Sequence, residues 1–173
     1  MATPSHAPAP TPAPNAVASL FDTLSLTYHA AFSDLTHQHT ATSWVLSALS
    51  ALPSPAKIID LGCGPGDPVV STLASAGHNV LGTDISAGMI TEARRRVPHP
   101  NASFLQLDTL KWEPEEGEYD AVVLMFSLII DVSIADIRET IAKVCRAVKP
   151  GGVFMFATVA IGGDEVDMYG WDG

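Results

Sequence analysis

The chain has 173 residues, 47% of them apolar and 16% charged, which suits one domain with a sizeable core and excludes a disordered chain. Its formal net charge is −10 with nine Lys and Arg in all, so no basic stripe exists for a phosphate backbone and nucleic acid is argued against as a partner. No apolar run reaches bilayer-spanning length, and two cysteines, Cys63 and Cys145, are too few for a disulfide framework.

Residues 1–15 are rich in Pro and Ala and cannot bury enough apolar surface to offset their ordering entropy; they read as a disordered tail. The tail has neither the basic-then-apolar order of a signal peptide nor the arginines of a transit peptide, so a cytoplasmic location is the default. Residues 16–173 read as one domain. Residues 16–51 have helical spacing in two stretches, with Leu20, Phe21, Leu24 and Tyr28 in the first and Trp44, Leu46, Leu49 and Leu52 in the second. His29, His37 and His39 fall in or between these helices. On a helix His37 and His39 face different directions, which argues against a metal site. Pro53 and Pro55 close the region.

From Lys57 strands and helices alternate. Strands are expected at 57–61, 78–83, 103–107, 119–126 and 153–159. A helix is expected after Pro68, closed by Gly77. A second follows Ser86 as N-cap, with Met89, Ile90, Ala93 and Val97 on one face. A third, over 134–148 behind Ser133, should bury Ile134, Ile137, Ile141 and Val144. The acidic stretch 113–118 reads as a solvated connection, and Lys149-Pro150-Gly151-Gly152 as a sharp break. The run at 119–126 is continuously apolar, as in a strand covered on both faces. The alternation implies an α/β fold with a parallel sheet and right-handed crossovers. Ligands in such sheets bind beyond the carboxyl ends of the strands.

The most informative stretch is Ile58-Ile59-Asp60-Leu61-Gly62-Cys63-Gly64-Pro65-Gly66-Asp67-Pro68. A buried strand runs into a turn with glycine at alternate positions, and Pro68 stands where a helix begins. Such a turn lets a ligand approach the main chain. Dinucleotide sites use it as G-x-G-x-x-G. Here the spacing is G-x-G-x-G, and Asp67 at the helix start would repel a pyrophosphate. Cys63, between two glycines, reads as a small residue tolerated in a tight loop rather than a reactive thiol.

This stretch resembles the first motif of class I S-adenosylmethionine-dependent methyltransferases, and later stretches extend the likeness over roughly residues 20–158. The resemblance implies a Rossmann-like, doubly wound sheet of order 3-2-1-4-5 with helices on both faces, S-adenosylmethionine as cofactor and a small-molecule acceptor, without a metal. It assigns the cofactor to Asp60, Gly62, Cys63, Gly64 and Gly66, and to five later residues. Asp84, 22 residues after Gly62, would take the ribose hydroxyls, with Ile85 against the adenine or in the core. Asp108 would take the adenine amine, with the Thr109 backbone at the ring edge. Phe126 would cover the methyl-bearing end or serve as core. Catalytic candidates by the same likeness are Tyr28, His29 and Asp131, the last standing where many relatives have histidine.

The family usually continues past the fifth strand with a helix and an antiparallel hairpin. The fourteen residues after Val159 cannot supply these, so the hairpin strands are expected to be missing and the fifth strand to be an open edge. The chain would then be truncated after about residue 159, would pair as a homo- or hetero-oligomer through that edge, or would bind cofactor without effective catalysis. A nicotinamide-dependent oxidoreductase shares the strand–turn–helix logic and stands as the alternative from another class.

Overall fold

The computed structural model describes residues 14–32, 36–49, 52–128, 130 and 132–158. Two helices lead, α1 (Pro14–Phe32) and α2 (Thr36–Leu49). Then come β1 (Lys57–Leu61), α3 (Val69–Ser75), β2 (Asn79–Asp84), α4 (Ala87–Arg96), β3 (Ala102–Gln106), a 3-10 turn at Thr109–Lys111, β4 (Tyr119–Met125), α5 (Ile134–Ala147) and β5 (Val148–Ala157). The five strands form one sheet of order β3-β2-β1-β4-β5, every pairing parallel. The fold expectation is met in class and strand order.

Alternation along the strands divides the core into two layers, because successive side chains point to opposite faces. Ile58, Val80, Ala121 and Val123 pack with Val45 and Leu49 of α2 and Val70, Leu73 and Ala74 of α3. Ile59, Leu61, Val122 and Leu124 pack on the other face with Val144 and Ala147 of α5, Trp112 and Tyr119. The central run Ala121–Leu124 is fully buried, as a strand covered on both faces must be. Loss of Ser133 would weaken α5, whose start is a reciprocal capping box with Asp136.

Several expectations are corrected. Pro14 and Asn15 belong to α1, so the helix reaches into the stretch read as tail. Among the described side chains of α2, Val45 and Leu49 are buried, while Trp44 is exposed. Lys149–Gly152 does not break the chain: it opens β5 as a register irregularity opposite Tyr119 and Ala121, with Gly151 at φ +77°. Lys149 Nζ holds it there by donating to Asp120 Oδ1 at 2.7 Å. Ile134 is 70% exposed, because it stands in the first turn of α5, ahead of the stretch that packs on the sheet. The acidic connection is solvated as expected, with no buried residue, and it is also ion-paired at both ends, Glu113 to Lys143 and Glu118 to Lys57. Strand boundaries at β2 and β3 move by one residue.

None of the ten residues of β5 is buried, and among the described residues β4 is its one partner strand. Residues 159–173, where the missing hairpin was at issue, lie outside the described residues.

Candidate functional site

The carboxyl ends of β1, β2, β3 and β4 open on one cavity of about 220 Å³, roofed by α1. β1 ends in the glycine turn. The N–H groups of Gly62 and Cys63 both donate to Thr83 O, at 2.8 and 2.7 Å, so the turn is folded back onto β2. Gly62 has φ +80°, and a Cβ there would fall 2.1 Å from the Cβ of Ser127, on the segment that leaves β4. That crossing demands glycine. Gly64, at φ +53°, has nothing within 4 Å of where its Cβ would be, and it borders the cavity. Gly66 does not line the cavity; its bare face meets Phe104 and Val97 instead.

Asp84 is the last residue of β2. Its Oδ2 accepts from Gly64 N–H at 3.0 Å and its Oδ1 from Ser86 N–H at 2.9 Å. Burial raises its pKa, against the lowering effect of these amides. Asp60, 2% exposed in β1, is pushed up to about 7 by burial and by the charge of Asp84. Two buried carboxylates side by side disfavour a second negative charge and favour a cation between them. The Cys63 thiol is pushed well above its ordinary value by burial and by the same two acids, so it is no ready nucleophile.

Asp108 follows β3 and caps the 3-10 turn: Oδ1 accepts from Leu110 N–H at 3.1 Å and Oδ2 pairs with Lys111 at 3.0 Å. Thr109 behind it is buried, and both residues line the cavity with Ile85. The turn is tied to α5 by Lys143, whose Nζ donates to Leu110 O at 3.1 Å. Phe126 has φ +56°, a rare conformation for a bulky residue. Its N–H is fixed by Ala157 O at 2.7 Å, so the β4–β5 pairing holds the strained turn. Next to it, the Ser127 hydroxyl is buried with no hydrogen-bond partner among the described residues.

From α1, Val17, Phe21 and Tyr28 reach the cavity. Tyr28 meets Phe21 edge to face at 6.2 Å. Burial and the charge of Asp84 raise its phenol pKa further, so it stands neutral and suited to donate. The structure thus brings together Tyr28, Asp60, Gly62, Cys63, Gly64, Asp84, Ile85, Asp108, Thr109 and Phe126. His29 lies in α1 with its side chain outside the described part, and Asp131 lies outside the described residues. Among the described residues no group of acids, His and Cys has the arrangement of a metal site.

Residues that sequence reasoning missed are Asp22, Gly82 and Gly88. Asp22 is the one acidic residue of the otherwise uncharged α1, which was a usable signal. Gly82 makes room for Cys63 Sγ and the Phe104 ring, each 2.9 Å from a would-be Cβ, and only the folded sheet shows this.

A parallel doubly wound sheet with a glycine turn, and acids at the ends of its first three strands, defines a nucleoside-cofactor site at the switch point of the sheet. Residues 58–152 match the family model described as a methyltransferase domain, and the chain belongs to the class I S-adenosylmethionine-dependent methyltransferases. It is 32% identical over 117 residues to the trans-aconitate 2-methyltransferase of Paracidovorax citrulli, covering 67% of this chain and 44% of that protein. It is 30% identical over 152 residues to the demethylmenaquinone methyltransferase of Beutenbergia cavernae, covering 83% and 58%. Among solved structures, DhpI in complex with SAH superposes with a TM-score of 0.65 at 29% identity, covering 79% of this chain and 64% of that one. The chain spans about half the length of the curated relatives it matches.

The cofactor of the family is S-adenosylmethionine, and the residues present fit it. Asp60, Asp67, Asp84 and Asp108 line the cavity, and among the described residues no Lys, Arg or His does. These acceptors suit a sulfonium, an amine and ribose hydroxyls, and their charge repels the pyrophosphate of a dinucleotide. The partnerless Ser127 hydroxyl and the open face of Gly64 leave hydrogen-bonding capacity and room on the same side. Among the described residues no helix is long and apolar enough to cross a membrane.

Proposed function

We propose that this chain transfers the methyl group of S-adenosylmethionine to a small-molecule acceptor by direct in-line displacement. The observation that carries the reading is the convergence of Asp60, Gly64, Asp84 and Asp108 on one acidic cavity that, among the described residues, has no basic side chain in its lining. When bound, the cofactor supplies a methyl group already activated on a sulfonium. The protein's task is then orientation and exclusion of water, an effect that reaches about 7–11 kcal/mol in favourable cases.

In this reading Asp84 takes the ribose hydroxyls while its other oxygen keeps Ser86, and Gly62, Cys63, Gly64 and Gly66 form the turn against which the ligand lies. Asp108 and the backbone at Thr109 hold the adenine edge, with Ile85 against its face. Asp60 favours positive charge at the methionine end, and Phe126 bounds the methyl-bearing end. Tyr28 closes the cavity from α1 and orients the acceptor as a donor. With His29 and Asp131 it forms the set from which a base would come if the acceptor carries a proton. Relatives named for trans-aconitate and demethylmenaquinone make a small organic acceptor the leading class. The low count of basic residues supports an acceptor other than nucleic acid.

A second reading, a cofactor-binding module that works only with a partner chain on β5, is favoured by the lack of any buried residue in that strand. Calorimetric titration of the purified chain with S-adenosylmethionine, with NADH in parallel, tests the first reading. Saturable binding of the first alone is the expected result, and binding of NADH alone would sink it. Turnover of any acceptor by the isolated chain, sedimenting as a monomer, excludes the second.

A further inference from the structure

The roof of the cavity is fastened at one polar point. α1 packs along α4, and where they meet Asp22 Oδ1 accepts from the Ser86 hydroxyl and from Gly88 N–H, the latter at 2.9 Å. Ser86 is the N-cap of α4 and Gly88 stands in its first turn, so Asp22 answers donors that the helix itself leaves unpaired. Its negative charge also sits at the favourable end of the helix dipole. The approach is close. A Cβ on Gly88 would lie 2.8 Å from Ser25 Oγ, 3.1 Å from Ser25 Cβ and 3.3 Å from Asp22 Cα.

Ser86 faces two ways. Its hydroxyl donates to Asp22 and accepts from Met89 N–H at 3.0 Å, while its own N–H donates to Asp84 Oδ1 at 2.9 Å. Asp84 Oδ2 in turn takes Gly64 N–H. A continuous hydrogen-bonded path therefore runs Asp22–Ser86–Asp84–Gly64, from the roof to the glycine turn. Asp22 does not line the cavity, and its carboxylate is occupied by two donors, so it is not placed to act on a reacting atom. On the same helix, Phe21 and Tyr28 do line it.

We propose that Asp22 is a latch: a positioning residue that docks α1 on the N-terminus of α4 and so holds Phe21 and Tyr28 over the bound cofactor. The identity of that cofactor rests on the methyltransferase reading; the latch itself does not. The bonds from Ser86 and Gly88 hold the Asp22 carboxyl below its ordinary value, so the anion persists at neutral pH. Opening the latch frees α1 and shortens the residence of the ligand without touching the carboxylates that grip it.

The test uses the full chain with Asp22→Ala, Asp22→Asn and Gly88→Ala. Hydrogen exchange is followed in α1 and in β1–β2, and S-adenosylmethionine dissociation is followed by rapid dilution. In Asp22→Ala, α1 amides should exchange faster while those of β1 and β2 stay unchanged. Dissociation should be about tenfold faster, the scale set by loss of one helix cap. Gly88→Ala should reproduce this from the other side of the contact. Asp22→Asn keeps an acceptor oxygen and should stay within about threefold of the parent. Unchanged α1 exchange in Asp22→Ala, faster exchange with unchanged dissociation, or an Asn variant as impaired as the Ala variant would each overturn the latch. If the parent chain binds no S-adenosylmethionine, the methyltransferase reading fails, and the exchange of α1 still decides the latch.

Discussion

Asp84 Oδ2 and the backbone N–H of Gly64 are joined at 3.0 Å across 20 residues of sequence, so the acid at the end of β2 holds the glycine turn at the end of β1. The carboxylate assigned to the ligand therefore also shapes the turn against which the ligand lies. Asp84→Ala removes both functions. A hydrogen bond to a charged group contributes about 1.5–3 kcal/mol, so affinity for S-adenosylmethionine should fall about 10- to 100-fold. Asp84→Asn keeps an acceptor for one amide and should lose less. Calorimetry gives the affinities, and far-UV circular dichroism checks that the fold persists. Unchanged affinity in Asp84→Ala would remove this residue from the site.

The acid next to it sets a pH dependence. Asp60 lies at about 7, against an ordinary 3.8, because it is buried beside Asp84. Between those values the folded chain keeps a proton that the unfolded chain has released. Stability therefore falls as pH rises through that window, and this contribution is fully lost above about 7. Asp60→Asn should be more heat-resistant than the parent at pH about 8, and the gap should close towards pH about 4. Ligand affinity runs the other way. A cationic ligand favours the ionised acid, so S-adenosylmethionine should bind more tightly as pH rises to 7, by at most about tenfold per unit. S-adenosylhomocysteine, whose sulfur carries no charge, should show the smaller slope, and Asp60→Asn should flatten both. Equal slopes for the two ligands would place Asp60 away from the sulfur.

What the sequence made legible is the part of the fold carried by local pattern. The continuous apolar run at β4, the N-caps Ser86 and Ser133 and the alternate glycines each announce an element through chemistry within a few residues. Asp84 stood out by its spacing after the glycine turn, while Asp60 and Asp108 were reached through the family likeness; the structure places all three in the cavity lining. Gly82 and Gly88 were out of reach, because their roles are defined by what another element brings against them; Asp22 stood out as the one acid of α1, but its partners lie in and before α4. Ile134 had the right spacing for a buried face, yet it lies in the first turn of α5 and stays exposed. Lys149–Gly152 has the composition of a break, but the pairing with β4 absorbs it as an irregularity. Glu113 is solvent-exposed as expected, but its pairing was not legible because Lys143 is far along the chain.

The turn glycines should separate by substitution with alanine. Gly62→Ala must hold a Cβ at φ +80° and 2.1 Å from Ser127 Cβ, so either the turn or the segment after β4 moves. Overpacking on top of a left-handed backbone should cost about 2–4 kcal/mol of stability. Gly64→Ala has open space and bears only the backbone term, about 1–2 kcal/mol. Gly64 borders the cavity, so an added methyl group also changes the wall there. Gly62→Ala should therefore be the larger loss in urea denaturation, and Gly64→Ala should lose more binding than its stability accounts for. The reverse order in both measurements would contradict the assigned crossing of β1 and the chain after β4.

Ser127 offers the sharpest separation of a structural role from a functional one. Its hydroxyl is buried without a partner, next to Phe126 and against the bare face of Gly62, and Ser127 lines the cavity. In the ligand-free chain that hydroxyl is a liability, since a buried polar group without a partner carries a desolvation penalty of about 1–3 kcal/mol. Ser127→Ala should therefore leave the free chain as stable as the parent or raise its melting temperature. If the hydroxyl meets a donor or acceptor of the methionine end, the same change should weaken S-adenosylmethionine binding by about 3- to 10-fold. Stability and affinity would then move in opposite directions. A residue needed only for packing would lose both together, and a residue of no consequence would move neither. Thermal denaturation with and without ligand reads both quantities from one preparation: the ligand-free midpoint should hold or rise, while the ligand-induced shift should shrink.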